Sequence, residues 1–177
     1  MLLACGGGGT SEPPPVYPIA PEEPSGPAHA RGSESASVNV GSAGGTLELS
    51  NGARLEISEG ALDQSTSVVF ALGARTRAFD QNENQRTIGP MLVVQPSLVA
   101  GPDGRFIVSI PFTSIPDGFT ERDLAVAVEV VAEEQRALEM GGVQTRWQNQ
   151  AASRSGNRLT AELRQLDGLR LQFLVSR

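Results

Sequence analysis

The side chains that most often carry out chemistry in proteins are scarce in this chain. Cys5 is the only cysteine and His29 the only histidine among 177 residues. A single cysteine excludes an internal disulfide and a cysteine-based zinc site. His29 lies in a proline-rich stretch, which removes most forms of histidine catalysis. The chemistry that remains for Cys5 is covalent modification of its thiol.

The residues around Cys5 resemble the lipobox of bacterial lipoproteins. The stretch Leu2-Leu3-Ala4-Cys5 is followed by four glycines. In that family a peptidase cleaves before the cysteine, and the thiol receives a diacylglyceryl group. The resemblance therefore implies that Cys5 is a lipidation site, and several acyl chains would hold the protein firmly on a membrane. A chance cysteine in a disordered tail is the alternative.

The position of Cys5 bears on where the protein resides. A signal peptide needs a charged region and an apolar region of roughly 7–15 residues, whereas four residues precede Cys5. We therefore expect the natural chain to start further upstream, with residues 1–5 as the remnant of a lipoprotein signal peptide. Gly6 stands where an aspartate would retain an enteric lipoprotein at the inner membrane. The resemblance thus implies the outer membrane of a bacterial cell envelope.

Composition narrows the class of protein. The formal net charge is −6, so nucleic acid is a poor partner. All fourteen basic residues are arginine, which favours a GC-rich bacterial genome. With 39% hydrophobic residues, the chain has material for one real core, and two domains are not expected.

Residues 6–37 have the composition of a disordered linker. They are rich in proline, serine, glycine and glutamate and contain almost no large apolar side chains. Such a segment cannot bury enough surface to offset its ordering entropy. A proline-rich recognition motif is the alternative, but no paired P-x-x-P flanked by arginine is present. The folded domain is predicted to span residues 38–177.

Short alternating runs from residue 38 onward predict an all-β fold. The clearest is a hairpin around Asn51-Gly52, for which we expect a two-residue type I′ turn. Valine density predicts a strand at residues 123–131, while residues 132–140 fit either a turn or a helix. With no other long helical pattern, the class is a single antiparallel β-sandwich behind a disordered Pro/Gly/Ser-rich tail.

The order of motifs resembles the ZU-five β-sandwich domain of ankyrins, netrin receptors and a tight-junction scaffold protein. The resemblance covers about residues 41–177. It rests on Gly44-Gly45, Ile57-x-x-Gly60-Ala61-Leu62, Gly89-Pro90, Gly101-Pro102-x-Gly104-x-Phe106 and Ile110-Pro111. It implies a binding role, in which the domain joins membrane proteins to scaffolds or packs on neighbouring domains. Some relatives cleave themselves at His-Phe-Ser, but the comparable stretch here reads Gln165-Leu166-Asp167.

Two sets of oxygen-bearing side chains could in principle bind a metal ion or take part in a reaction. Asp80, Asn82 and Asn84 have the alternate spacing that opens an EF-hand loop, but Gln85 stands where that loop needs glycine and Met91 where it needs glutamate. Adjacent glutamates at 133 and 134 point to opposite faces of a strand or face water in a turn. We therefore predict no enzyme activity, no metal and no cofactor.

Two hypotheses for the function remain, and the environment of Trp147, the only tryptophan, distinguishes them. The first is a surface-tethered module that binds a protein partner in the envelope. The second is a small-ligand or carbohydrate binder that uses Trp147 and nearby arginines. A packed Trp147 with an exposed apolar strand edge favours the first function, whereas an exposed Trp147 in a pocket favours the second.

Overall fold

The protein is a two-layer β-sandwich. A computed structural model describes residues 26–73, 84–131, 145–166 and 170–177. Within these ranges the only helical element is a short 3₁₀ turn at Glu121–Asp123. Sheet A contains, in spatial order, β1 (Ala28–Gly32), β3 (Gly45–Leu49), β4 (Arg54–Ile57), β8 (Phe106–Pro111), β12 (Arg158–Leu163) and β11 (Ser153–Ser155).

Sheet B also has six strands, and a third sheet has only two. Sheet B contains, in spatial order, β10 (Thr145–Ala151), β9 (Leu124–Val131), β14 (Arg170–Ser176), β6 (Gln85–Gln95), β5 (Thr66–Leu72) and β2 (Ser35–Val40). The small sheet pairs β7 (Leu98–Val99) with β13 (Gln165–Leu166). Among the described strands, every pair is antiparallel except β1 with β3. The predicted all-β sandwich is confirmed, and so is the strand predicted at 123–131.

The core lies between the two sheets and follows the alternation in the sequence. Phe70 of β5, Phe173 of β14, and Phe106 and Ile110 of β8 belong to one hydrophobic cluster, and none of these side chains is more than 1% exposed. Full burial of a side chain of this size contributes roughly 1.5–3 kcal/mol. Packing of this kind holds the domain together.

Single stretches of chain pass from one sheet to the other at both sides of the sandwich. β1 of sheet A continues into β2 of sheet B through Ser33-Glu34, and β10 continues into β11 through Ala152. The first crossing is tight, because a Cβ on Gly32 would lie 1.6 Å from the carbonyl oxygen of Ser35. Strands that switch sheets in this way are known corner elements of sandwiches.

The predicted end of the linker at residue 37 is wrong. β1 and the first half of β2 lie before residue 38, and Ala28 and Ala36 belong to the core. Their small side chains gave no apolar alternation, so the composition resembled that of a linker. Residues 6–25 of the predicted linker lie outside the described residues.

The predicted hairpin is present, but its turn type is wrong. The N–H of Gly52 donates to the carbonyl of Leu49 at 2.8 Å, and Leu49 N–H donates to Ala53 at 2.9 Å. The loop therefore has three residues, and only its last, Gly52, has positive φ, at 82°. Asn51 instead accepts the N–H of Ala53 through its side-chain oxygen. A three-residue loop ending in a left-handed glycine is the next common hairpin form.

Several residues that carry the ZU-five resemblance meet at one end of the sandwich. Gly60 N–H donates to Ser42 at 2.8 Å, and Gly101 N–H donates to Ala61 at 3.0 Å. A Cβ on Gly104 would lie 2.3 Å from the Cα of Ala61, so this close approach requires glycine. The motif residues thus have a packing role in this fold.

Candidate functional site

The structure places some of the candidate residues and not others. Cys5, Asp80, Asn82 and the glutamates at 133 and 134 lie outside the described residues, as does the segment 132–140 that fits a turn or a helix.

Among the described candidates, only Trp147 joins a cluster of charged side chains. His29 is exposed on β1, Asn84 is exposed just before β6, and Met91 is buried in β6. Trp147 lies half-buried on β10. The predicted ligand residue is therefore the starting point for the site.

The register of three strands brings Trp147 into line with an ion pair. Trp147 of β10 is opposite Glu129 of β9. β14 pairs with the other side of β9, and its register places Arg170 beside Glu129. All three side chains lie on the outer face of sheet B, which is the side turned away from sheet A. We call these three residues the tryptophan cluster.

Arg170 connects the tryptophan cluster. Its Nε donates to Oε2 of Glu129 at 2.9 Å, and its Nη2 donates to Oε1. The guanidinium carbon also lies 5.6 Å from the centroid of the Trp147 ring, within cation–π range. The Glu129 side chain is only 5% exposed, whereas that of Arg170 is 37% exposed. Hydrogen bonding to Glu129 raises the pKa of Arg170 above its ordinary value, with burial opposing the shift.

This geometry favours binding or support over reaction chemistry. Both carboxylate oxygens of Glu129 accept hydrogen bonds from Arg170, so the carboxylate is held as a partner of a cation. A general base needs a free oxygen within reach of a proton. Within the described ranges, no group of three or more His, Cys, Asp or Glu side chains is placed to hold a metal ion.

The rest of the outer face of sheet B is largely apolar. Leu174 and Ala127 are fully buried and Met91 is 5% exposed, although none belongs to the core between the sheets. Gln172 is also buried, and its amide nitrogen donates to the carbonyls of Ile88 and Gly89, each at 3.1 Å. These bonds support β6 where its register with β14 shifts.

Sequence reasoning missed Glu129 and Arg170. Forty-one positions separate the two residues, and neither belongs to a recognisable motif. The sequence predicted arginines near Trp147 but did not identify which ones. The useful signal was a single glutamate in a valine-rich strand, because a buried carboxylate requires a cationic partner.

No known protein-family model matches this chain, and no curated protein matches it. Within the described ranges, no helix is long and apolar enough to cross a membrane.

Proposed function

We propose that this chain is a lipid-anchored protein of the bacterial cell envelope and that its sandwich is a non-catalytic module for binding a protein partner. The observation that carries the proposal is the packing of Trp147. Arg170 lies over its ring and is itself fixed by the buried Glu129. An aromatic platform for a sugar needs an open ring face, so this packing favours the protein-binding function.

The anchor in this proposal is the thiol of Cys5. The first described strand begins at Ala28, and the proposal takes the roughly 20 residues between Cys5 and this strand as the tether between lipid and domain. Such a tether spans roughly 25 Å as a flexible coil and roughly 70 Å when extended. Either length carries the domain clear of the lipid headgroups. The resemblance to ZU-five domains supports a binding role for the domain itself.

A small-ligand or carbohydrate site is the second candidate function. Trp147 is half-buried rather than fully buried, and the adjacent guanidinium of Arg170 remains 37% exposed. An aromatic ring beside a part-exposed cation can orient a polar ligand. This candidate uses the same residues, so one experiment can separate it from the first.

The anchor is tested with the chain expressed in a bacterium behind a lipoprotein signal sequence fused directly ahead of Leu2. We expect the parent to partition into the detergent phase and Cys5→Ser to move to the aqueous phase, while the matched control Ser11→Ala behaves as the parent. Partitioning of Cys5→Ser with the detergent would refute the anchor.

Cross-linking in intact envelopes then tests the binding role. We expect the parent chain to form a reproducible cross-link to one envelope protein. The absence of any protein cross-link, together with a saturable change of Trp147 fluorescence on adding envelope glycan fragments, would favour the ligand-binding function instead.

A further inference from the structure

The loop between β3 and β4 contains an asparagine followed directly by a glycine, a pair with a backbone reaction of its own. The main-chain nitrogen of the second residue can attack Cγ of the asparagine side chain and close a five-membered imide ring. Gly52 has no Cβ to obstruct such an attack on Asn51. Asn51 is exposed, so water has access to the loop. The loop therefore holds the groups that deamidation requires.

Deamidation at this pair takes two steps. The Gly52 nitrogen forms a bond to Cγ of Asn51, the bond from Cγ to Nδ2 breaks, and the proton of the attacking nitrogen leaves with the departing ammonia. Water then opens the imide at either of its two carbonyl carbons. Opening at Cγ leaves an aspartate, whereas opening at the backbone carbon leaves an isoaspartate, whose main chain is one carbon longer. Water is the only co-reactant consumed.

In the folded domain Gly52 is held by hydrogen bonds on both of its backbone groups. Its N–H donates to the carbonyl of Leu49 at 2.8 Å. Its carbonyl accepts a hydrogen bond from Nη2 of Arg158 at 2.7 Å. The attacking nitrogen must give up the proton that it donates to Leu49 and must turn toward Cγ. The reaction therefore works against both bonds.

Arg158 is itself fixed in the orientation that reaches the loop. Its Nε donates to Oγ of Ser109 at 3.1 Å, and its Nη2 donates to the same oxygen at 2.8 Å. Ser109 lies in the central strand β8 and is only 8% exposed. None of the ion pairs among the described residues includes Arg158. Its guanidinium is therefore committed to joining β12, β8 and the loop.

Two further contacts restrict the reacting groups. A Cβ built on Gly52 would lie 2.6 Å from Cγ of Pro111, so the space on this side of the glycine is already filled. Oδ1 of Asn51 accepts the N–H of Ala53 at 3.0 Å, which fixes the side chain that would be attacked. Both partners of the reaction are thus held by contacts that only the closed loop provides.

We propose that Asn51-Gly52 is a latent deamidation site, which the folded loop keeps unreactive and which Arg158 helps to hold closed. The site becomes reactive when the loop opens or the chain unfolds. An isoaspartate formed in that state lengthens the main chain and moves Gly52 out of register with the residues that hold it, so the closed loop cannot form again. The site lies on sheet A and is independent of the proposed function, whose evidence lies on sheet B.

The first test compares the full chain folded and in guanidinium chloride at the same mildly alkaline pH, with deamidation followed by mass spectrometry. Trypsin cleaves after arginine, so residues 32–54 form one peptide that contains two asparagines, Asn39 and Asn51. Asn39 is the internal control, because the β-branched Val40 follows it and obstructs attack. We expect Asn51 to react at least about tenfold more slowly in the folded chain than in denaturant. Equal rates in the two states, or no excess over Asn39 in denaturant, would overturn the proposal.

The second test removes the arginine that holds the loop. In folded Arg158→Met we expect Asn51 to deamidate about fivefold faster or more. The matched control is Arg164→Met, because Arg164 also donates to a loop carbonyl, that of Pro102 at 2.5 Å, in a different loop.

Hydrogen exchange separates opening of the loop from a general loss of stability. Arg158→Met should speed exchange at the amide of Gly52 more than at that of Val108 in β8. An unchanged rate at Asn51 in Arg158→Met, an equal rise in Arg164→Met, or equal acceleration of exchange at Gly52 and Val108 would contradict the role given to Arg158.

Discussion

The ion pairs on the outer faces of the two sheets differ in their exposure to solvent. On sheet A the pairs Arg54–Glu56 and Arg105–Glu162 each have an N···O distance of 3.3 Å, and all four side chains are at least 45% exposed. On sheet B the Glu129 carboxylate is only 5% exposed. Exposed pairs of this kind contribute about 0–1 kcal/mol. A buried carboxylate depends strongly on its cation, so we expect the loss of the cation to cost more on sheet B than on sheet A.

The largest expected effect comes from breaking the buried pair. Arg170→Met removes the cation that donates to both carboxylate oxygens of the buried Glu129 and should lower the free energy of unfolding by about 3–5 kcal/mol. Arg105→Ala, its exposed counterpart on sheet A, should cost no more than about 1 kcal/mol. Urea unfolding of both variants measures the difference.

A double variant provides the control for that comparison. Glu129→Leu combined with Arg170→Met removes both charges and should recover most of the loss, because the buried carboxylate is removed together with its cation. Equal costs for Arg170→Met and Arg105→Ala would show that the two faces do not differ as their exposures suggest.

The next largest effect is expected from removing the β1–β2 corner, where the chain passes from sheet A to sheet B. A chain starting at residue 38 lacks β1 and half of β2, and it uncovers Phe70 and Leu47 in the core. We expect an unfolding free energy about 2–4 kcal/mol lower than that of a chain starting at residue 26, which retains every described strand. The midpoints of thermal unfolding of the two chains test this expectation. Equal midpoints would mean that β1 adds nothing to sheet A.

A smaller effect is expected at two glycines, where the cost of backbone strain can be distinguished from the cost of steric crowding. Gly52 and Gly60 have φ values of 82° and 72°, but a Cβ on Gly52 would lie 2.6 Å from Cγ of Pro111, whereas nothing lies within 4 Å of one on Gly60. Each alanine substitution should cost about 1–3 kcal/mol from strain, and Gly52→Ala should cost more. A greater loss in Gly60→Ala would contradict the close approach to Pro111.

The smallest effect is a pH dependence near the end of β14. The backbone N–H of Thr120 holds the pKa of Asp123 below its ordinary value of 3.8, and Arg177 adds to the shift. The carboxylate therefore stabilises the fold above pH 3.8, and this contribution is lost as the pH falls through the lowered pKa. Asp123→Asn should be less stable than the parent at neutral pH and approach it in strong acid. A constant difference across that range would exclude this role.

Local patterns predicted much of the fold because the signals for strands and hairpins lie in residues that are close together in the sequence. The valine density of residues 123–131 predicted a strand there, and β9 occupies Leu124–Val131. β1 escaped prediction because its parallel partner β3 follows β2 in the chain and its buried side chains are small. The hairpin loop that ends at Gly52 is one residue longer than predicted, because Asn-Gly fits both two-residue and three-residue loops.

The candidate site was much harder to predict than the fold. Glu129, Trp147 and Arg170 become neighbours only through the order β10–β9–β14, which no local pattern contains. Trp147 could be singled out because it is the lone tryptophan. Its partners could be found only once the register of the sheet was known.

The place of β14 has a consequence for biosynthesis. β14 follows every other strand in the chain, yet it lies in the middle of sheet B between β9 and β6. Until it has been synthesised, β9 with β10 and β6 with β5 and β2 are two separate pieces with no ladder between them. The sandwich therefore cannot close on a ribosome-bound chain that lacks residues 170–176. The strand that is made last is therefore the one that joins the two halves of sheet B.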